Sequence, residues 1–411
     1  MFIEKIRNGN FMIDKKIKTP YFIIKKEQID NLINNMVNSL SVNFNNWIIG
    51  YSFKTNNLPC VIDYMKKKGL YAEVVSSDEY ILAKELGYSV NNIIFNGPIK
   101  EKKDFLDALK NKAIVNIDSS KEIEWILECN IEDLRESNIG LRVNFCIEEL
   151  CPNESQCGIE DGRFGFSYEL GELKKVIDLL SNHNINISGL HMHVSSKTRS
   201  INIYNAIAET AKKIVNEYNL KLKYLDIGGG FFGGMPEKPN FYEYFSSIKN
   251  IISKEPLLND TIVIVEPGMS LIGASLNYVT TVEDIKRTKN NTFAILDGSR
   301  IHIDPLMKKS SYSYEIINLQ SSNELNEIIL CGFTCMEGDR FFKLFNTRLN
   351  CGDKVVFKKV GAYTIGIAPQ FIQFHPAIYL DNGDELKLVQ NKCTAKDYLK
   401  NRFVNTIDYK I

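Results

Sequence analysis

Three short stretches of the chain carry residue types that together suit one kind of chemistry. They are Lys54 in YSFKTN, the glycines Gly228, Gly229 and Gly230 after YLDI, and Glu266 in VIVEPG. A lysine amine forms an imine with an aldehyde, a glycine turn brings backbone N–H groups against a phosphate, and a carboxylate holds a proton on a ring nitrogen. Pyridoxal 5'-phosphate has all three of these groups, so the sequence predicts this cofactor.

Lys54 is the predicted Schiff-base lysine. Tyr51 and Phe53 flank it and predict partial burial, which favours the uncharged, reactive amine. The alternative is a surface lysine at the end of a strand.

The glycine turn has two competing interpretations. Gly233 and Gly234 follow it, so the stretch also resembles a dinucleotide-binding fingerprint. That fingerprint belongs near the first strand of a βαβ unit, with an acidic residue after the next strand. Here it comes late, and Phe231 and Phe232 interrupt it. Phosphate binding by backbone N–H groups is favoured, and a plain flexible turn is the alternative.

Glu266 follows an apolar run and therefore needs a cationic partner. A protonated pyridine nitrogen is one such partner; Arg142 is the alternative. His193, in GLHMHVSS, lies two residues after His191, so both side chains point to one side of a strand. We expect His193 to stack on a cofactor ring, with a buried core histidine as the alternative, and Ser196 to add a hydroxyl to the phosphate site.

The elements that must position these residues follow a simple pattern. Eight mostly continuous apolar runs alternate with segments whose apolar residues recur every three or four positions, which favours parallel strands covered by helices. The predicted strands are Trp47–Phe53, Tyr71–Val75, Asn92–Phe95, Ala113–Ile117, Ile139–Asn144, Ile187–His193, Lys223–Ile227 and Thr261–Val265. Eight such units favour a closed (β/α)8 barrel; an open doubly wound sheet is the alternative. The four candidate sites then fall at strand carboxyl ends, on the catalytic face of a barrel.

After Pro267 the pattern changes to strand-like pieces separated by turns. We therefore predict a pyridoxal-phosphate-binding barrel over residues 20–270, and a β-rich domain formed by residues 1–19 and 271–411.

Composition excludes several other functions. Fifty basic and fifty acidic residues cancel, so bulk charge does not favour a nucleic-acid or membrane partner. Cys146, Cys151 and Cys157 cluster without a nearby histidine, so no metal site is predicted. The first residues lack the apolar core of a signal peptide, and no apolar run reaches membrane-spanning length, so we expect a reducing cytoplasm.

The chain resembles the alanine-racemase-fold (fold type III) decarboxylases that use pyridoxal phosphate, the diaminopimelate and ornithine decarboxylase group. The motifs that carry the resemblance occur in the family's order over nearly the whole length: YSFKTN, AEVVSSDE, FNGPIK, NIDSS, GLRVN, GRFGF, GLHMHVSS, LDIGGGF, VEPG, CGFTCMEGD, CGD and GAYTIGIAPQF. The order of so many motifs is specific for the family but not for a substrate.

By that resemblance, Lys54 carries the cofactor, Glu266 contacts the pyridine nitrogen and His193 stacks on the ring. The residues expected to bind the phosphate are Ser196, Gly228, Gly229, Gly230, Gly268 and Tyr363. Cys335 is expected to reach the partner subunit's site and protonate the carbanion, because family members form homodimers with shared active sites. A thiol can donate a proton in this way. The alternative is that Cys335 is a small core residue, as cysteines usually are.

Departures from the family pattern bear on the substrate. Met269 stands where the family commonly has arginine, Met336 follows Cys335 where diaminopimelate decarboxylases have glutamate, and their usual arginine is absent around Asp304. Diaminopimelate is therefore a disfavoured substrate. Five residues are candidates for substrate binding: Asp304, Glu337, Asp339, Tyr363 and Phe371.

The sequence thus predicts an α-decarboxylase acting on an amino acid or an amino-acid-derived conjugate, in polyamine, siderophore or other specialised metabolism. The alternatives are an amino-acid racemase of the same fold and a non-catalytic protein that binds pyridoxal phosphate.

Overall fold

The computed structural model describes residues 5–8, 11–158, 160, 162–319 and 324–402. The chain forms two compact units: residues 32–271 make one, and residues 1–31 with 272–411 make the other. No helix among the described residues combines the length and the apolar character needed to cross a membrane.

The amino-terminal strands belong to the second of these units. They are β1 (Lys5–Asn8), β2 (Phe11–Asp14) and β3 (Tyr21–Lys25). The last of them pairs with two later strands of the same unit, starting from Tyr21↔Val279 and Tyr21↔Ala377. The predicted boundary at residue 20 therefore differs from the structure, which keeps this buried strand in the β-rich unit because its backbone partners are there.

Parallel strands form the core of the larger unit. In chain order they are β4 (Trp47–Ser52), β5 (Tyr71–Val74), β6 (Ile93–Phe95), β7 (Ile114–Ile117), β8 (Asn138–Asn144), β9 (Phe166–Ser167), β10 (Gly189–His191), β11 (Tyr224–Asp226) and β12 (Ile262–Val265). The short β9 pairs only with the end of β8. The other eight close on themselves, since β8 pairs with β10 and β12 returns to β4. The closed barrel is confirmed over an open sheet.

Helices alternate with the barrel strands. They are α1 (Lys26–Asn43), α2 (Pro59–Lys67), α3 (Ser77–Glu85), α4 (Lys102–Lys110), α5 (Ser120–Leu127), α6 (Ile131–Leu134), α7 (Ile147–Leu150), α8 (Glu172–Asn182), α9 (Ile201–Tyr218), α10 (Phe241–Ile252) and α11 (Met269–Ile272). Local capping fixes where several begin: Ser119 and Glu122 form a capping box at α5, and Asn240 and Glu243 form one at α10.

The β-rich unit contains both antiparallel and parallel strand pairs. Its remaining elements are β13 (Leu276–Arg287), β14 (Thr292–Leu296), β15 (Ser313–Ile317), β16 (Glu324–Cys331), β17 (Arg340–Arg348), β18 (Lys354–Lys358), β19 (Ala377–Asp381), β20 (Leu386–Gln390) and α12 (Ala395–Arg402). The long β13 pairs with β3, β14 and β18. A separate mixed-sheet domain after the barrel is therefore confirmed.

Candidate active site

Lys54 lies just past the carboxyl end of β4, in a single 3-10 turn over Phe53–Thr55. Its neighbours Tyr51 and Phe53 are fully buried, but 44% of the Lys54 side chain is exposed. The Lys54 side chain is therefore only partly buried, and an effect of this burial on its amine stays a prediction. Its Nζ donates a 2.8 Å hydrogen bond to Glu73 Oε2.

Glu73 and Asn96 extend this contact into the barrel mouth. Glu73 lies on β5 and is almost fully buried. Asn96 follows β6, and its Nδ2 donates to Glu73 Oε1 at 3.0 Å and to Glu266 Oε1 at 2.5 Å. The Asn96 amide therefore joins Glu73, the partner of Lys54, to Glu266, the predicted partner of the ring nitrogen.

Glu266 follows β12 and is buried. His191 Nε2 lies 3.4 Å from Glu266 Oε2, an electrostatic contact that is not aligned as a hydrogen bond. Burial by itself raises the pKa of Glu266, but attraction to His191 and Lys54 outweighs it and holds the pKa below its usual range. The alternative partner, Arg142, instead pairs with Asp118 at 3.2 Å. Glu266 is thus an ionised carboxylate in a buried site.

Asp226, at the end of β11, is the second acid of this cluster. Burial, and then repulsion by Glu266, raise the pKa of Asp226 well above its usual range and favour its protonated form. His191, Asp226 and Glu266 are close enough to hold a metal ion. However, Asn96 already donates to Glu266, and the Gly228 N–H donates to Asp226 at 2.9 Å. The cluster is therefore organised around hydrogen-bond donors.

The glycine turn follows β11 and requires glycine at several positions. Gly228 and Gly230 have φ angles of 71° and 96°, which favour glycine, and a Cβ on Gly229 would collide with the carbonyl oxygen of Glu266. The Gly228 N–H is used by Asp226. Within the described part of the chain the N–H groups of Gly229 and Gly230 have no partner. Gly228 thus shapes the turn, whereas the N–H groups of Gly229 and Gly230 are available to a ligand.

His193 packs directly on this turn, because a Cβ on Gly228 would collide with it. Burial, and then the charge of Arg142, lower the pKa of His193 to about 3, so the ring is neutral. Its Nδ1 is buried without a partner among the described residues. Ser196 also lines the turn, with its Cβ 3.0 Å from the position of a Cβ on Gly230. Gly268 packs against Thr55, in the same turn as Lys54.

These barrel residues fit pyridoxal phosphate. The amine of Lys54 offers a partner for its aldehyde, and the ionised Glu266 offers one for its ring nitrogen. The two adjacent N–H groups of Gly229 and Gly230 offer partners for its phosphate. The neutral imidazole of His193, whose Nδ1 has no partner among the described residues, adds a flat surface beside the glycine turn.

A family model described as the pyridoxal binding domain of pyridoxal-dependent decarboxylases matches residues 28–273, more than half of the chain. The chain belongs to the pyridoxal-dependent decarboxylases. Pyridoxal phosphate is accordingly its cofactor, and the enzyme is a carboxy-lyase.

Individual relatives agree with this assignment. A diaminopimelate decarboxylase of Methanocaldococcus jannaschii is 25% identical over 428 residues, which span 96% of this chain and 95% of that protein. The crystal structure of a diaminopimelate decarboxylase from the same organism has a TM-score of 0.84 at 22% identity, covering 98% of both chains. A lysine/ornithine decarboxylase of Vibrio vulnificus, solved with putrescine, has a TM-score of 0.73 at 23% identity, over 90% of this chain and 96% of that one.

The β-rich unit of the decarboxylase carries the other predicted site residues. Cys335, Tyr363 and Phe371 are exposed. Glu337 is almost fully exposed and forms a surface pair with Arg340.

Asp304 and Asp339 are better explained by internal hydrogen bonds than by the predicted substrate contact. Asp304 is buried and accepts five of them, two from the Arg300 side chain, one from Tyr312 and two from backbone N–H groups. Asp339 is equally buried and accepts hydrogen bonds from Ser299, Thr334 and the backbone N–H of Arg300. A substrate contact at either acid stays a prediction, and the oxygens of both already have internal partners.

Sequence reasoning missed Glu73, Asn96 and Asp226 as site residues of the decarboxylase. Each is a polar residue within or directly after an apolar strand, which is the available signal. All three even lie in motifs that carry the family resemblance.

Proposed function

We propose that this decarboxylase removes the α-carboxylate of an amino acid or an amino-acid-derived conjugate, with Lys54 as the cofactor lysine. The observation that carries the proposal is the hydrogen-bonded series from Lys54 through Glu73 and Asn96 to Glu266. It joins a reactive amine to an ionised carboxylate at the strand ends of one barrel.

Bound pyridoxal phosphate supplies an aldehyde for amines and an electron-withdrawing ring that stabilises the carbanion left when CO2 departs. Glu266 would hold the proton on the ring nitrogen, since its pKa is kept low and it stays negative. Glu73 would hold the ammonium of Lys54 when that side chain is released from the cofactor. His193, being neutral, would lie against the ring without adding charge.

Cys335 is the proposed proton donor to the carbanion. Its thiol is exposed on the β-rich unit, and a thiol donates a proton readily near neutral pH. We infer that it acts in the site of a second subunit, with Tyr363 contacting the phosphate and Phe371 the substrate. Tyr363, Ile367, Phe371 and Ile372 are exposed apolar side chains in one segment, and the proposed homodimer would cover them.

We propose that the substrate is not diaminopimelate. Asp304 stands in the region where diaminopimelate decarboxylases are expected to carry an arginine, and here Arg300 neutralises it internally. A distal carboxylate would therefore lack its expected cation in this segment. A cationic, polar or conjugated distal group is favoured, as in polyamine, siderophore or other specialised metabolism.

The test is a CO2-release screen of the purified protein against diaminopimelate, lysine, ornithine, arginine and carboxyalkyl-conjugated diamines. We expect release from at least one substrate with a kcat/KM about tenfold or more above that for diaminopimelate. Lys54→Ala should abolish release. Release from diaminopimelate alone would overturn the substrate proposal, and release from none would overturn the function.

Shared active sites are tested by mixing inactive subunits. If Lys54 and Cys335 act in one site but come from different subunits, then mixing Lys54→Ala with Cys335→Ala should restore about a quarter of wild-type activity through hybrid dimers. No recovery after subunit exchange would contradict a shared site.

A further inference from the structure

Tyr204 of α9 contacts the glycine turn from inside the barrel unit. Its side chain is almost fully buried, and its hydroxyl donates a 3.0 Å hydrogen bond to the carbonyl oxygen of Gly229. The hydroxyl also lies 3.1 Å from the position of a Cβ on Gly230, so a side chain at that position would crowd the tyrosine.

This contact bears on the phosphate site through the geometry of the peptide bond. A trans peptide is planar, and its C=O and N–H groups point in opposite directions. The carbonyl of Gly229 and the N–H of Gly230 belong to one such plane. Because Tyr204 holds the carbonyl, the N–H must point away from the tyrosine, and that N–H has no partner within the described residues.

We propose that Tyr204 is a positioning residue for the cofactor phosphate. It fixes the Gly229–Gly230 peptide so that the Gly230 N–H is already aimed at a phosphate monoester before binding. This inference rests on the proposed role of the glycine turn as the phosphate site.

The surroundings of Tyr204 keep its hydroxyl in place. The ring stacks on Phe231 with centroids 4.6 Å apart and an interplanar angle of 17°, and it meets Tyr244 edge to face at 5.0 Å. Burial raises the pKa of Tyr204 well above its usual range, so the hydroxyl remains protonated and able to donate. The aromatic residue directly after the three glycines thus has a structural explanation.

The experiment compares two aldehydes that differ only in the phosphate. Full-length protein is freed of cofactor by dialysis against hydroxylamine, and the dissociation constants of pyridoxal phosphate and of pyridoxal are measured from the absorbance of the lysine-bound aldehyde. For Tyr204→Phe we expect about tenfold weaker binding of pyridoxal phosphate, the equivalent of about 1.4 kcal/mol. Binding of pyridoxal should be unchanged within about twofold, since it makes no phosphate contact.

Tyr244→Phe is the matched control. It removes a hydroxyl from the same aromatic cluster, but that hydroxyl donates to the carbonyl of Arg199 rather than to the glycine turn. Both dissociation constants should stay near wild type. A general loosening of the cluster would instead weaken both aldehydes in both variants.

The outcomes separate the inference from the function on which it rests. If wild-type protein binds pyridoxal as tightly as pyridoxal phosphate, then the glycine turn is not a phosphate site. If wild type prefers the phosphate ester and Tyr204→Phe retains the full preference, then the positioning role is wrong while the site stands. Equal weakening of both aldehydes in Tyr204→Phe would also overturn the positioning role.

Discussion

Lys54 Nζ and Glu73 Oε2 lie 2.8 Å apart, and the two ends of this ion pair differ in exposure: 44% for the lysine side chain and 1% for the glutamate. The negative charge is fixed in the barrel, whereas the amine lies at the mouth, where an incoming substrate amine can replace it. In the proposed mechanism, Glu73 marks the position to which Lys54 withdraws during turnover.

Replacing Glu73 by glutamine tests this role. The Glu73→Gln variant keeps the side-chain shape but loses the charge that holds the displaced ammonium, so we expect kcat to fall by about tenfold or more. The cofactor should remain bound, because Lys54 itself is intact. Steady-state CO2 release, with the visible absorbance of the cofactor as the loading control, provides the measurement. Unchanged kcat would remove Glu73 from the mechanism.

Glu266→Gln should lower kcat more than Glu73→Gln does. A neutral amide cannot balance a proton on the ring nitrogen, and we expect kcat to fall by about 100-fold or more while cofactor remains bound. Glu255→Gln is the matched control, since Glu255 is equally buried in the barrel unit but bonds to Asn216 and the Leu257 backbone. Similar losses in both variants would show that a buried carboxylate, rather than its position, is what activity requires.

The barrel could be predicted from the sequence because parallel strands covered on both faces are continuous apolar runs. The predicted strands Tyr71–Val75 and Ala113–Ile117 match β5 and β7 to within one residue, since their apolar runs are continuous. In contrast, β17 cannot be recognised from the sequence in this way. Its burial alternates imperfectly and charged residues such as Arg340 and Lys343 occupy its exposed positions, so the apolar signal is weak.

The candidate site was only partly predictable, for a different reason. Lys54, the glycines and Glu266 are recognisable by their own chemistry, but their partners are defined by contacts across the barrel. Asn96 and Glu266 are separated by 170 positions. Nothing local to Asn96 identifies that partner, because barrel closure brings the two strand ends together. Likewise, nothing in the local sequence of Asp304 shows that Arg300 pairs with it in the folded chain.

A buried ion pair outside the reacting groups should control stability. Lys100 Nζ lies 2.5 Å from Glu122 Oε1, both side chains are buried, and burial lowers the pKa of Lys100 despite this partner. Lys100→Met would leave the Glu122 carboxylate buried and unpaired, so we expect the free energy of unfolding to fall by about 3–5 kcal/mol.

Urea denaturation measures this effect, and Lys102→Met is its control. Lys102 pairs with Glu128 on the surface, where both side chains are largely exposed, and its replacement should change the free energy of unfolding by less than about 0.5 kcal/mol. Equal effects of the two substitutions would contradict a structural role for the buried pair.

The stability of the β-rich unit should depend on the neutral state of His302. Burial, and then the charges of His375 and Lys392, lower the pKa of His302 to about 3. The unfolded chain, with the ordinary pKa of 6.5 for this group, binds more protons below that pH. The stabilisation is therefore complete above 6.5 and is lost as pH falls towards the folded-state value.

His302→Gln cannot titrate and should lose less stability than wild type on acidification. Urea midpoints of both proteins, measured at about pH 7.5 and about pH 5, give the comparison. The variant is expected to be less stable at the higher pH, since it disturbs the 2.7 Å contact between His302 Nδ1 and the Tyr278 hydroxyl. Identical losses of stability between the two pH values would rule out His302 as the responsible group.

The most direct test of the account is to locate the lysine that bonds to the cofactor. Purified holoenzyme is reduced with borohydride, digested, and mapped by mass spectrometry for a lysine that carries the reduced phosphopyridoxyl group. We predict that the group lies on the peptide containing Lys54, and that it is lost in Lys54→Ala. Modification of a different lysine, with Lys54 unmodified, would contradict the central claim.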